Sequence, residues 1–191
     1  MSKTVESIRT GGRMSQLLAV LAVSVMLSSS PAFADADAAL PEGPKQALLA
    51  WAGEDVAALA ALLGKSQGIE QWRAELGAAE DDAVLLALAD YLALTAPVAD
   101  LAGDDAAALV AGLPADGKEL FLANCLSCHG GDRYFVQQDK TEAEWMGIFD
   151  APYHRRLMTE GQEREIFASY AAWTAPLTLE AMPDELKDER E

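Results

Sequence analysis

Five consecutive residues carry the chemistry that the rest of this chain must serve: Cys125, Leu126, Ser127, Cys128 and His129. Two thiols separated by two residues, with a histidine directly after the second, form the C-x-x-C-H pattern of covalent haem attachment. The thiols add to the haem vinyl groups as thioethers, and the adjacent imidazole meets the iron from one side. The chain has 2 cysteines, and the motif uses both. A structural zinc site would need two further ligands, whereas His154 is the one histidine outside the motif. A thioredoxin-like dithiol would sit in a βαβ context, which is not apparent in this sequence. A disulfide across two intervening residues would be strained and would leave His129 without a role. The reading is one covalently attached haem c, anchored by Cys125 and Cys128, with His129 as proximal iron ligand.

The opposite axial position is open to four downstream side chains: Met146, His154, Met158 and Met182. Met146 lies 17 residues after His129, a short return for the chain, and Met182 lies beyond the last expected helix. His154, in the loop Pro152-Tyr153-His154-Arg155-Arg156, is the first choice as distal ligand, and Met158, just before the last helix, is the alternative. The choice sets the chemistry, because methionine raises the reduction potential relative to histidine. An open sixth position would instead admit small ligands. Arg133 and Arg155 are expected beside the haem, neutralising its acidic groups, and Arg156 shares that reading; solvated arginines balancing an acidic protein are the plain alternative.

The elements that position this motif are expected to be helices. Alanine and leucine dominate, β-branched residues are sparse, and 51% of the chain is hydrophobic, which predicts an all-α fold. Residues 1–34 read as a signal peptide. Lys3, Arg9 and Arg13 form a basic start, Leu17 to Leu27 an apolar run, and Ala32-Phe33-Ala34 a cleavage site before Asp35. The apolar run is shorter than the ~20 residues of a spanning helix, so no integral membrane segment is expected after cleavage. Covalent haem attachment outside the cytoplasmic membrane agrees with export, and the expected compartment is the periplasm.

The 157 residues after the cut carry 11 basic and 30 acidic side chains, a formal charge of −19. Such a surface repels nucleic acid and anionic headgroups, and favours a redox partner with a basic docking surface. Residues 35–113 form a haem-less helical domain, 114–179 the haem domain, and 180–191 a charged tail. Helical pattern runs from Lys45 to Leu63, with a break at Gly53-Glu54-Asp55, then near Ile69 to Leu76 and from Asp81 or Asp82 to Thr95. The haem region has a short helix from Asp116 through the motif, a capping box at Thr141 and Glu144, and a last helix from Glu160 to Trp173. The halves echo one another. Trp72 precedes Tyr91-Leu92-Ala93-Leu94-Thr95-Ala96-Pro97, and Trp145 precedes Tyr170-Ala171-Ala172-Trp173-Thr174-Ala175-Pro176. The echo is consistent with a duplication whose first copy, a degenerate repeat, lacks the motif, or with chance similarity of alanine-rich helices.

From Gly117 onward the chain resembles the class I cytochromes c. The matching residues are Gly117, Phe121, Cys125, Cys128, His129 and Gly130, then Tyr170 and Trp173 in the last helix. The resemblance implies that the first and last helices of the haem domain cross, with Gly117 and Phe121 against Tyr170. It implies electron transfer rather than catalysis. The tryptophan, short helix and histidine before the last helix are similar to small bis-histidine cytochrome c domains. One feature departs from the family: a proline soon after the motif, whose carbonyl orients the proximal histidine, is missing, and the next proline is Pro152. The resulting expectation is an exported mono-haem c-type cytochrome transferring one electron through Fe(III)/Fe(II). The alternatives are a cytochrome subunit of a periplasmic dehydrogenase or oxidase, and a haem enzyme or gas sensor with an open site.

Overall fold

The computed structural model describes residues 40–53, 55–99, 101–129 and 137–177. The signal segment, Arg133, Met182 and the charged tail lie outside the described residues. Among the described residues the chain is mostly helical, with no strand. No helix among the described residues is long and apolar enough to cross a membrane.

Acidic side chains start several of these helices, as the sequence leads one to expect. Helix α1 (Pro44–Ala52) stops at Gly53, and Asp55 caps α2 (Val56–Leu63) by accepting from the Ala58 N–H. Helix α3 (Ile69–Leu76) ends on Gly77, whose φ of 68° is left-handed. Asp82 caps α4 (Ala83–Thr95) through the Leu85 N–H. Asp105 caps α5 (Ala106–Ala111), a helix for which the sequence pattern gives no expectation, by accepting from the Ala108 N–H. Asp116 and Glu119 form a reciprocal capping box on α6 (Gly117–Asn124), which runs into the single turn α7 (Leu126–His129). Thr141 and Glu144 do the same for α8 (Glu142–Gly147), which tightens into a 3₁₀ turn, Ile148–Asp150. Helix α9 (Glu163–Thr174) closes the described fold.

One apolar core joins the two halves. Leu48, Leu59, Leu63, Trp72, Leu88 and Leu92 from the first half and Phe121, Trp145, Phe149 and Phe167 from the second belong to a single buried cluster. Each such fully buried side chain contributes roughly 1.5–3 kcal/mol. The central contact is α4 against α9. Polar groups also cross it: the buried Asp90 accepts from Ser169 Oγ at 2.9 Å, Trp173 Nε1 at 2.7 Å and Arg73 Nη2 at 3.3 Å.

Like residues recur in the two halves at two fixed offsets. Pro41 and Pro114, Lys45 and Lys118, and Trp72 and Trp145 are each 73 positions apart, while Tyr91 and Tyr170 are 79 apart. Their packing is reciprocal. Tyr91 donates to the Pro114 carbonyl at 2.6 Å, and Tyr170 donates to the Pro41 carbonyl at 2.9 Å. Each half's last long helix thus fastens the entry to the other half's first helix.

Gly117 makes the haem-motif helix possible in this position. A Cβ there would meet Tyr170 Cβ at 2.1 Å and Cγ at 2.5 Å, so α6 can cross α9 this closely only with glycine. Phe121, one turn on, stacks beside Phe167 with ring centroids 6.1 Å apart. The crossing is the one the cytochrome resemblance implies, with Phe167 joining Tyr170 as the surface the first helix meets.

Candidate functional site

The motif's spacing is a helix-face argument realised in the backbone. Cys128 and His129 follow Cys125 by three and four residues, the intervals that share one helical face. The N–H groups of both reach back to the Cys125 carbonyl, at 3.2 and 2.9 Å. One turn therefore presents two sulfurs and one imidazole to the same side. The sulfurs do not form a disulfide with one another. Burial, and then the neighbouring Cys128, push the Cys125 thiol up to about 12. Dithiol oxidoreductases do the opposite and depress their attacking thiol. Among the described residues no cluster of three histidine, cysteine or acidic side chains could hold a metal ion.

These three residues open onto a cavity of about 590 Å³. Its far side comes from α8, the 3₁₀ turn and the loop that follows: Trp145, Ile148, Phe149, Tyr153, His154, Leu157 and Met158. Phe167 lines it from α9 and organises the aromatic wall. Trp145 meets Phe167 edge-on at 6.0 Å and Phe149 does so at 5.8 Å. Edge-to-face pairs of this kind are stabilising and geometrically specific.

His129 and His154 face the cavity from opposite segments, with ring centroids 6.2 Å apart and planes inclined by 52°. Two metal–nitrogen bonds of about 2 Å each, plus the half-width of each ring, add up to this separation. His154 Nδ1 lies 3.1 Å from the Ile148 carbonyl. A carbonyl partner calls for a proton on Nδ1, which leaves the Nε2 lone pair for a metal. Such a second partner is the usual companion of a ligating histidine.

Met158 lines the same cavity and is 5% exposed. Both distal candidates therefore come together in one site. Met146 is half-buried on α8 and is not among the lining residues. Arg155 and Arg156 are exposed, and Arg155 donates its Nε to the Asp150 carbonyl at 3.0 Å. Neither arginine lines the cavity; Lys140 is the cation that does.

The residues present fit a haem. The walls are apolar, and the two thiols and the two imidazoles line the same cavity; Trp145 also buries an indole N–H with no acceptor among the described residues, but this is a feature of the frame rather than of the site. Trp72, its counterpart in the first half, buries its own indole N–H likewise. The Ile148 carbonyl and the Gln138, Lys140 and Tyr153 side chains were not legible as site residues. A backbone carbonyl carries no sequence signature, and the other three are ordinary polar residues until the loops are folded. No family model matches the chain, and neither a curated protein nor a solved structure matches it.

Proposed function

We propose that this protein is an exported, mono-haem c-type cytochrome of the periplasm that transfers single electrons. The observation that carries the reading is the 6.2 Å separation of His129 and His154 across a cavity walled by Cys125 and Cys128. When bound, the haem supplies the Fe(III)/Fe(II) couple. Cys125 and Cys128 tether it as thioethers, so the protein cannot lose it by dissociation. His129 and His154 would be the residues that hold the iron, and the Ile148 carbonyl, 3.1 Å from His154 Nδ1, would keep His154 in the ligating tautomer. Phe149, Trp145 and Phe167 exclude water from the cavity's inner wall. Two protein ligands keep substrates off the iron, which favours a carrier over a haem enzyme or gas sensor. Two imidazoles set a lower potential than an imidazole and a thioether would. The protein's acidic surface favours a partner with a basic docking face.

The test is expression with the export segment in a host that attaches haem covalently outside its cytoplasmic membrane. The reading expects one haem per chain that survives acidic organic extraction, and a potentiometric titration with a one-electron slope. A Cys125→Ala/Cys128→Ala chain should carry none. Purification of the wild type without covalent haem would sink the proposal.

A further inference from the structure

Arg164 sits at the second position of α9, where a cation opposes the helix dipole. Its guanidinium is committed to the loop that carries both distal candidates. Nη2 donates to the Arg155 carbonyl at 2.7 Å, and Nε and Nη2 donate to the Leu157 carbonyl at 3.2 Å each. The same group lies over the Phe149 ring, 4.8 Å from its centroid. The two carbonyls fall just after His154 and just before Met158. The loop is otherwise held by short turns, among them His154 N–H to the Ala151 carbonyl and Leu157 N–H to the His154 carbonyl, both at 3.0 Å. Met158 has a φ of 49°, a left-handed conformation that a side-chain-bearing residue keeps only when its surroundings hold it.

His154 and Met158 are four residues apart and line one cavity. Whichever faces the iron is decided by the path of the backbone between them. We propose that Arg164 is a positioning residue that fixes this path, so that His154 ligates and Met158 is held in the wall. Arginine suits the task because its planar fork reaches two carbonyls at once, which a lysine ammonium does not do with the same geometry. The inference rests on the haem reading above and goes beyond it by assigning the control of the sixth ligand.

The experiment uses the haem-loaded protein and two variants, Arg164→Lys and Arg164→Leu; the leucine side chain keeps apolar cover over Phe149 if the lysine variant folds poorly, and adds no new iron ligand. The readouts are the rate of carbon monoxide binding to the reduced protein, set by departure of the sixth ligand, and the near-infrared spectrum of the oxidised protein. Each variant should bind carbon monoxide on the order of tenfold faster, equivalent to about 1.4 kcal/mol, and should gain a methionine–iron band. In a His154→Ala background the same substitutions should leave the rate unchanged, because their effect runs through His154. Unaltered rates and spectra in both variants overturn the proposal, as does equal acceleration without His154. The haem reading itself stands or falls on covalent attachment, tested above; an unchanged spectrum in His154→Ala alone removes the ligand assignment and the role of Arg164 with it.

Discussion

The first half of the molecule has the same helical frame as the second, and none of its chemistry. At the positions of Cys125, Cys128 and His129 it has Ala52, Asp55 and Val56. Asp55 caps a helix that begins at Val56 and buries Leu59, Leu62 and Leu63. In the second half the turn Leu126–His129 lines a cavity, whereas the first half's α2 buries Leu59, Leu62 and Leu63 in the core. The halves also differ in length on the other side of the site. Nineteen residues separate Trp72 from Tyr91, against 25 between Trp145 and Tyr170. The additional residues fall between the 3₁₀ turn and α9, in the loop that carries His154 and Met158. Two local differences, the Cys125–His129 motif and a longer loop, thus accompany the cavity of the second half.

Removing the motif should erase that difference most completely. Cys125→Ala/Cys128→Ala is expected to abolish covalent haem, as judged by mass and by the absorption of the extracted chain. Helix crossing comes next. Gly117→Ala forces a methyl into Tyr170, a clash of backbone-bearing elements that should cost about 1–3 kcal/mol or more. Its counterpart Pro44→Ala should cost less, and denaturant unfolding of the two variants measures the asymmetry.

The shared interface gives a prediction of similar size. Asp90→Ala leaves Ser169 and Trp173 without their acceptor and Arg73 without a buried partner. Because Arg73 is partly exposed, the loss should be about 2–4 kcal/mol rather than that of a fully buried pair. If unfolding then separated into two transitions, the halves would be independent units held mainly by this cluster.

Smaller effects test the reciprocity. Tyr91→Phe and Tyr170→Phe each remove one hydrogen bond to a proline carbonyl and should each cost about 1 kcal/mol. A cost at only one of the two would break the symmetry of the packing. The smallest effect is a pH dependence at Asp116. Burial, the largest influence, holds its carboxyl above the usual range, outweighing the stabilising Glu119 and Lys45 N–H groups. A raised carboxyl pKa stabilises the fold below the unfolded value, about pH 3.9, and that contribution is lost as pH rises through the folded value. Asp116→Asn keeps a capping side chain and should flatten that decline in unfolding titrations.

Local chemistry was legible in the sequence where it repeats local rules. The motif, the break at Gly53 to Asp55, the helix starts at Asp81 or Asp82 and near Asp116, and the Thr141–Glu144 box all follow from neighbours within four residues. Helix α5 was not legible. Six residues are too few to form a helix from propensity alone, and burial of Leu109 and Val110 against the rest of the fold decides it. The Tyr91–Pro114 and Tyr170–Pro41 bonds connect residues 23 and 129 positions apart, so no window of sequence contains them. From four candidates the sequence put His154 first and Met158 second as distal ligand. The features on which the proposed choice of His154 rests, the Ile148 carbonyl and the carbonyls that Arg164 grips, are groups that every residue possesses and only folding brings together.

The near-infrared magnetic circular dichroism of the oxidised, haem-loaded protein tests the central claim most directly. The account predicts a low-spin signature with two imidazole ligands, lost on His154→Ala. A methionine–iron band in the wild type, or a high-spin spectrum, would contradict it.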